Sequence, residues 1–260
     1  MADYRKRIVI LVIGLVVLVG LVGCGKKGEY SSLSEEERID KGLDAFEHLK
    51  NGKIQIKSHS KYNIKAPKDG QKSEGEVNRS FTGDFETSPE HILGIYDDGK
   101  NKFEYYHDAV SEFSKTKSDT EWYNDTDSMK KYRYKQPNGI NRVAIEFLRS
   151  KKKDIKVTDD KDSYTLHYET DDVKQLGANG DFLVGGSYNG PVFHDDDSDA
   201  KVKIDLKISK EEFKPLSIKY TCEQDNSDIS LKFKAMVKYS KQNSGVRVKV
   251  PRGIDTAKSR

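Results

Sequence analysis

Lys201 to Ile208 (KVKIDLKI), Leu216 to Cys222 (LSIKYTC) and Ile229 to Ala235 (ISLKFKA) are the stretches whose reading decides the fold. In each, a large apolar residue alternates with Lys, Asp, Ser or Thr. Successive side chains of a strand point to opposite faces, so this period of two predicts strands with one apolar face and one charged face. Phe213-Lys214-Pro215 marks the start of the second strand, and the third is expected to change register near Met236-Val237 before Tyr239. Val246, Val248, Val250 and Pro251 close the alternating pattern. A sheet with one charged face is antiparallel and covered on one side only. Helices must supply the cover, because nothing else in the chain is apolar enough.

Moving toward the N-terminus, Ile140, Val143, Ala144, Phe147 and Leu148 form a helical stripe opposite Arg142, Glu146 and Arg149. Short strands follow at Ile155 to Val157 and Tyr164 to Tyr168, and Asp171 can cap a third helix carrying Val173 and Leu176. Gly177 to Asp199 is rich in glycine and acids and reads as a loop. Further back lie strands at Ile54 to Ile64, at Val77, Phe81 and Phe85, at Ile92 to Tyr96, at Phe103 to Tyr106, around Trp122-Tyr123, and at Tyr132 to Tyr134. Turn signals separate them at Lys68-Asp69-Gly70, Asp97-Asp98-Gly99 and Gln136-Pro137-Asn138-Gly139. Before this meander, Ser32-Leu33-Ser34-Glu35 has the spacing of a capping box. Ile39, Leu43, Phe46 and Leu49 then recur at helical intervals up to Asn51-Gly52. The fold class is α+β.

The extreme N-terminus is built differently. Arg5, Lys6 and Arg7 precede Ile8 to Val22, which holds no charged or polar side chain, and this is the pattern of an export signal. The charge-free run is about 18 residues, short of the ~20 that a helix needs to cross a bilayer. It ends at Leu21-Val22-Gly23-Cys24, which resembles the lipobox of bacterial lipoproteins. That resemblance implies cleavage between Gly23 and Cys24, with residues 1–23 removed as a signal peptide and Cys24 acylated as the new first residue. The alternative is an uncleaved signal anchor. Two acyl chains anchor a protein stably where one binds reversibly. Gly25 to Ser34 (GKKGEYSSLS) reads as a flexible tether, assigned to residues 24–33, ahead of a single domain over 34–256.

Taken together, the lipobox, tether, first helix, antiparallel meander, central helix and closing strands (KIDLKIS, FKPLSIKY, ISLKFKAMVKY, VRVKVP) resemble LolA/LppX-type lipoproteins. The resemblance implies a strongly curved antiparallel half-barrel with helices packed on its concave side. It also implies a lipid or other hydrophobic ligand held in a groove between sheet and helices, at the extracytoplasmic face of the cell membrane. Phe46, Val143 and Phe147 are the residues expected to face that groove. A non-enzymatic surface lipoprotein that contacts another envelope protein, with no small-molecule ligand, is the alternative.

Composition bounds the remaining classes. The chain has 260 residues, 46 Lys and Arg, 43 Asp and Glu, and a net charge of +3; without Arg5, Lys6, Arg7 and Asp3 this falls to about +1. Two cysteines cannot build a disulfide scaffold or a zinc ribbon. The six histidines have neither the i, i+4 spacing of a zinc helix nor an H-E-x-x-H motif, and Gly186 to Gly190 (GSYNG) misplaces the serine of a nucleophile elbow. No enzyme, no metal and no cofactor are expected, and each histidine is assigned to the surface or a strand face. His194 to Asp199 (HDDDSD) lacks the glycine and closing glutamate of a calcium loop and reads as a solvated acidic loop. Cys222 is expected to be a buried thiol. Lysines interleaved with acids argue against nucleic acid as a partner.

Overall fold

The computed structural model describes residues 29–65, 67, 73–126, 142–172 and 200–259. Gly23, Cys24, the signal segment, residues 24–28 of the tether, the turns at 68–70 and 136–139, the strand at 132–134, the helix of Val173 and Leu176, and the acidic loop lie outside them. So does the Val143 side chain.

Helix α1, Glu29–Ser32, is a single turn, and α2, Glu35–Glu47, follows at once. The capping box belongs to Ser34 and Glu37, not to Ser32 and Glu35. Ser34 Oγ accepts from the Glu37 amide at 3.3 Å, and Glu37 accepts from the Ser34 amide at 2.8 Å. Both serines fit the motif, but Ser32 lies within α1, whose Tyr30 is pinned elsewhere. The Tyr30 ring packs 5.0 Å from that of Tyr164, its hydroxyl donates to Asp159, and Arg38 and Lys210 sit 4.6 and 4.8 Å from its centroid.

Among the described residues twelve strands form one open, curved sheet. They are β1 (Asn51–Ile64), β2 (Glu74–Thr87), β3 (Glu90–Asp97), β4 (Lys102–Asp108), β5 (Glu112–Thr116), β6 (Tyr123–Asn124), β7 (Lys156–Asp159), β8 (Ser163–Thr170), β9 (Ala200–Ser209), β10 (Pro215–Asp225), β11 (Ile229–Ser240) and β12 (Lys258–Ser259). Their order is β12-β6-β5-β4-β3-β2-β1-β11-β10-β9-β8-β7, and every pairing is antiparallel except the short β12–β6 ladder. Two meanders, β1 to β6 and β7 to β11, are thus joined edge to edge where β1 pairs with β11. Helix α3, Arg142–Ser150, comes between the two in sequence.

Cross-strand rungs show why the closing strands bury one face. Ile56, Val237, Ile218, Leu206 and Leu166 lie side by side, and the next rung carries Ala235, Tyr220, Ile204 and Tyr168. All are buried. β11 keeps strict alternation from Leu231 through Phe233, Ala235 and Val237 to Tyr239, so the expected register change near Met236 does not occur. The irregularity falls instead in β10 between Pro215 and Ser217, at the proline that cannot donate to the ladder. Helix α2 lays Ile39, Leu43 and Phe46 on this apolar face and touches β7, β9 and β10. Arg149 of α3 clasps α2 through Asp44 and Glu47, both at 2.7 Å.

Among the described residues the other face is covered beside β4 and β5. Val246, Val248 and Val250 do not extend the sheet; after β11 the chain crosses over, and Val248 packs with Tyr106, Phe113 and Trp122 in a second, smaller core. Glu86 holds it there, accepting from the Val248 amide at 2.7 Å and from Arg247 at 2.9 Å. β4 is consequently buried on both sides, with Tyr105 in the main core and Tyr106 in the second.

At the junction of β2 and β3, Gly83 and Gly94 pair directly and the Phe81 ring lies over both. A Cβ on Gly94 would meet the Thr82 carbonyl oxygen and stand 2.6 Å from Phe81 Cζ. Gly94→Ala is therefore expected to cost about 1–3 kcal/mol, as overpacked core positions do. A lowered denaturant midpoint with an unchanged m-value would show it.

Candidate functional site

The residues expected to line a groove take different places. Phe46 is fully buried, edge-on to Tyr239 at 5.9 Å, and is part of the main core. Phe147 is half-buried at the end of α3, edge-on to Tyr168 at 5.7 Å, with Lys151 Nζ 6.0 Å from its centroid. The structure brings both to the apolar side of the sheet without setting them around a shared cavity among the described residues.

What lies beyond the strands that α2 packs on most closely is more informative. The apolar face continues from β11 onto β1 to β4, where Tyr62, Tyr96 and Phe103 are only partly buried. Tyr96 and Phe103 pack at 5.1 Å, and Phe81 meets Tyr105 edge-on at 6.2 Å beside them. Gly75 lets the Tyr62 ring lie across β2, since a Cβ there would stand 2.6 Å from Tyr62 Cζ. Arg79 shares this face, opposite Ser58 in register. Burial raises the Tyr96 pKa above its usual value, and the Arg79 guanidinium beside it pulls the other way. The result is an aromatic shelf with one cation at its side. Alternation in β1 to β4 placed these rings on strands, but sequence carried no signal of which aromatics the helix would leave uncovered.

Farther along β4 and β5 the same face turns polar. Ile92, His107 and Glu112 are cross-strand neighbours, and His107 is 1% exposed. Neither of its ring nitrogens, nor Glu112 Oε2, reaches a hydrogen-bond partner among the described residues. Glu90 Oε1 stands 3.9 Å from His107 Nε2. Burial, helped by the Asp125 carboxylate, pushes the Glu112 pKa up to about 7, while burial lowers that of His107. Glu112 is thus a protonatable donor inside the fold, and buried polar atoms without partners mark a place for water or a ligand group.

The other described histidines all have neighbours. His48 bonds the Asp44 carbonyl at 2.8 Å, His59 bonds Asn78 at 2.9 Å, and His167 lies between Thr158 and Asp205. His91 packs beside Tyr106. Among the described residues no group of three or more His, Cys, Asp or Glu could hold a metal ion, and no helix is long and apolar enough to cross a membrane. Cys222 is fully buried on the apolar face of β10.

The charged face carries a depression of about 640 Å³, lined by residues that include Lys57, His59, Asp97, Lys219, Lys234 and Met236. The lysines of β1 and β9 to β11 alternate with apolar residues along each strand, and pairing stacks them on one side. Acids still stand beside many of them, as Asp84 does beside Lys53 and Asp205 beside Lys219, but Lys57, Met236 and Lys219 share a rung with no acid between them.

Comparison with known proteins gives a family. No curated protein matches the chain. A LolA superfamily protein from Nitrosomonas europaea aligns over 85% of this chain and 96% of its own, with 8% identity and a TM-score of 0.23. A DUF1329 family protein from Desulfovibrio piger aligns over 82% and 94%, with 9% identity and a TM-score of 0.26. Residues 34–259, from the N-cap of α2 to the end of β12, match the family of unknown function DUF6612, and the chain belongs to that family.

Proposed function

We propose that this protein is a lipid-anchored lipoprotein at the extracytoplasmic face of the membrane, and that it holds a hydrophobic ligand between the curved sheet and its helices, packed on the concave side. The observation that carries the reading is the partly covered aromatic shelf of Tyr62, Tyr96 and Phe103, which continues the apolar face beyond the strands that α2 contacts. Arg79 and the buried His107–Glu112 pair give an amphiphile polar groups to meet on the same face. The anchor rests on the lipobox. Cys24 lies six residues before the pinned Tyr30, a span of about 20 Å at full extension, so the domain would ride close to the headgroups.

Both halves are testable. A fatty-acid label should enter the wild-type chain and be lost in Cys24→Ala; labelling that persists contradicts the anchor. An apolar fluorescent probe should bind the full chain in neutral detergent, and Tyr96→Ala should weaken it about tenfold, the loss expected from removing one buried ring. Unchanged binding would remove the shelf from the reading.

A second reading, contact with another envelope protein, is favoured by one observation. Phe46 and the rungs beneath α2 are solidly packed, and the 640 Å³ depression lies on the charged face, not between sheet and helix.

A further inference from the structure

The depression on the charged face has no part in holding an apolar ligand. Lys57 of β1, Met236 of β11 and Lys219 of β10 are successive neighbours on one rung, and His59 and Lys234 stand directly opposite on the next. One rung further, Lys61 faces Lys232. Like charges directly opposite destabilise a sheet. Several other lysines of this face are neutralised: Lys53 by Asp84 at 2.6 Å, Lys201 by Glu169 at 2.5 Å, and Lys207 by Asp160 at 2.7 Å. Among the described residues no carboxylate closes an ion pair with Lys57, Lys61, Lys232 or Lys234, although Glu76 and Glu223 are the register neighbours of Lys61 and Lys232, and Lys219 has Asp205 at 3.8 Å. Lys57 and Lys234, without an acid, and Lys219, with only a distant one, thus line one depression, and His59 at its margin stands 3.6 Å from Glu76. Asp97 is its acidic lining residue, and its Oδ1 already accepts from the Gly99 amide at 2.9 Å.

From this we infer that the depression is a binding site for a phosphate-bearing anion, held by Lys57, Lys219 and Lys234 with His59 at the margin. A single carboxylate is too small to reach three ammonium groups around a basin of about 640 Å³. An anion with several phosphoryl oxygens can accept from all three at once, and each such charge-assisted bond is among the stronger kinds. The Met236 side chain between Lys57 and Lys219 gives the basin an apolar floor, which suits a phosphoryl group carried on an organic body. The site stands on the opposite face from the aromatic shelf and is independent of the ligand proposed for it.

Two probes test it on the full chain in neutral detergent micelles. Sodium tripolyphosphate, titrated by calorimetry at low salt, represents a soluble phosphate, and phosphatidylglycerol mixed into the micelles represents a lipid headgroup. Heat with the first, or amide shifts at Lys57, Lys219 and Lys234 with the second, supports the site and says which source it takes. Binding should fall about tenfold in the Lys57→Gln/Lys234→Gln double variant and weaken with added salt. Lys201→Gln, which removes an equally placed but paired charge, should change it little. No response to either probe, or equal binding in the double variant, overturns the inference.

Discussion

Phe46→Ala should lower the unfolding free energy by about 3–5 kcal/mol, the largest single-site effect expected in the chain. Phe46 is completely buried, and its ring meets Tyr239, which also packs against Phe85. It therefore sits where the end of α2 meets Tyr239 of β11, and truncation leaves a cavity that the surrounding elements cannot close. A helix on the surface of a sheet derives most of its stability from this kind of packing, not from propensity. The loss should appear as a shift of the denaturant midpoint. A loss below about 1 kcal/mol, the scale of a surface substitution, would mean that Phe46 faces open space, as a groove residue would.

Stability should also fall as pH rises from about 4.5 to about 7, and Glu112→Gln should remove that slope. Glu112 titrates near its ordinary carboxylate value when unfolded but at about 7 in the fold, because burial and Asp125 disfavour its charge. Between the two values the folded state holds the proton and the unfolded state has lost it, so raising the pH favours unfolding across that window. Below it both states are protonated, and above it both are ionised. A shift of this size amounts to about 2–3 kcal/mol after allowance for partial solvation. His107 acts with the opposite sign. Its lowered value means that acid, below its ordinary range near 6.5, charges the unfolded state first and destabilises the fold. Chemical denaturation across this range, with Glu112→Gln beside wild type, separates the two contributions. Parallel profiles for the two proteins would contradict the account of Glu112.

The parts of this structure legible in sequence are those in which burial follows a single period. β9 and β11, and β10 beyond its irregular start at Pro215, alternate because one face is buried and the other meets solvent. Ile39, Leu43 and Phe46 recur at helical spacing for the same reason. Legibility ends where a strand is buried on both sides or buries polar groups. β4 carries Tyr105 and Tyr106 into opposite cores, and β5 turns Glu112 and Ser114 inward, so the hydrophobic pattern of β5 is absent from its sequence. Val246 to Val250 has the alternation of a strand, yet Glu86 captures Arg247 and the Val248 amide and draws the segment onto the far face. A helical stripe likewise cannot distinguish a core residue from a groove residue, which is why Phe46 was expected at a ligand. The lysine basin is a property of strand register, and the chain shows its members only as scattered positions.

The central claim is that the apolar face of the sheet holds a hydrophobic ligand, and native mass spectrometry of the full chain released gently from its own membrane tests it most directly. The expected result is a population heavier than the acylated chain by the mass of an extractable amphiphile, diminished in Tyr96→Ala. A single species at the mass of the acylated chain, with no uptake when lipid is supplied, would contradict it.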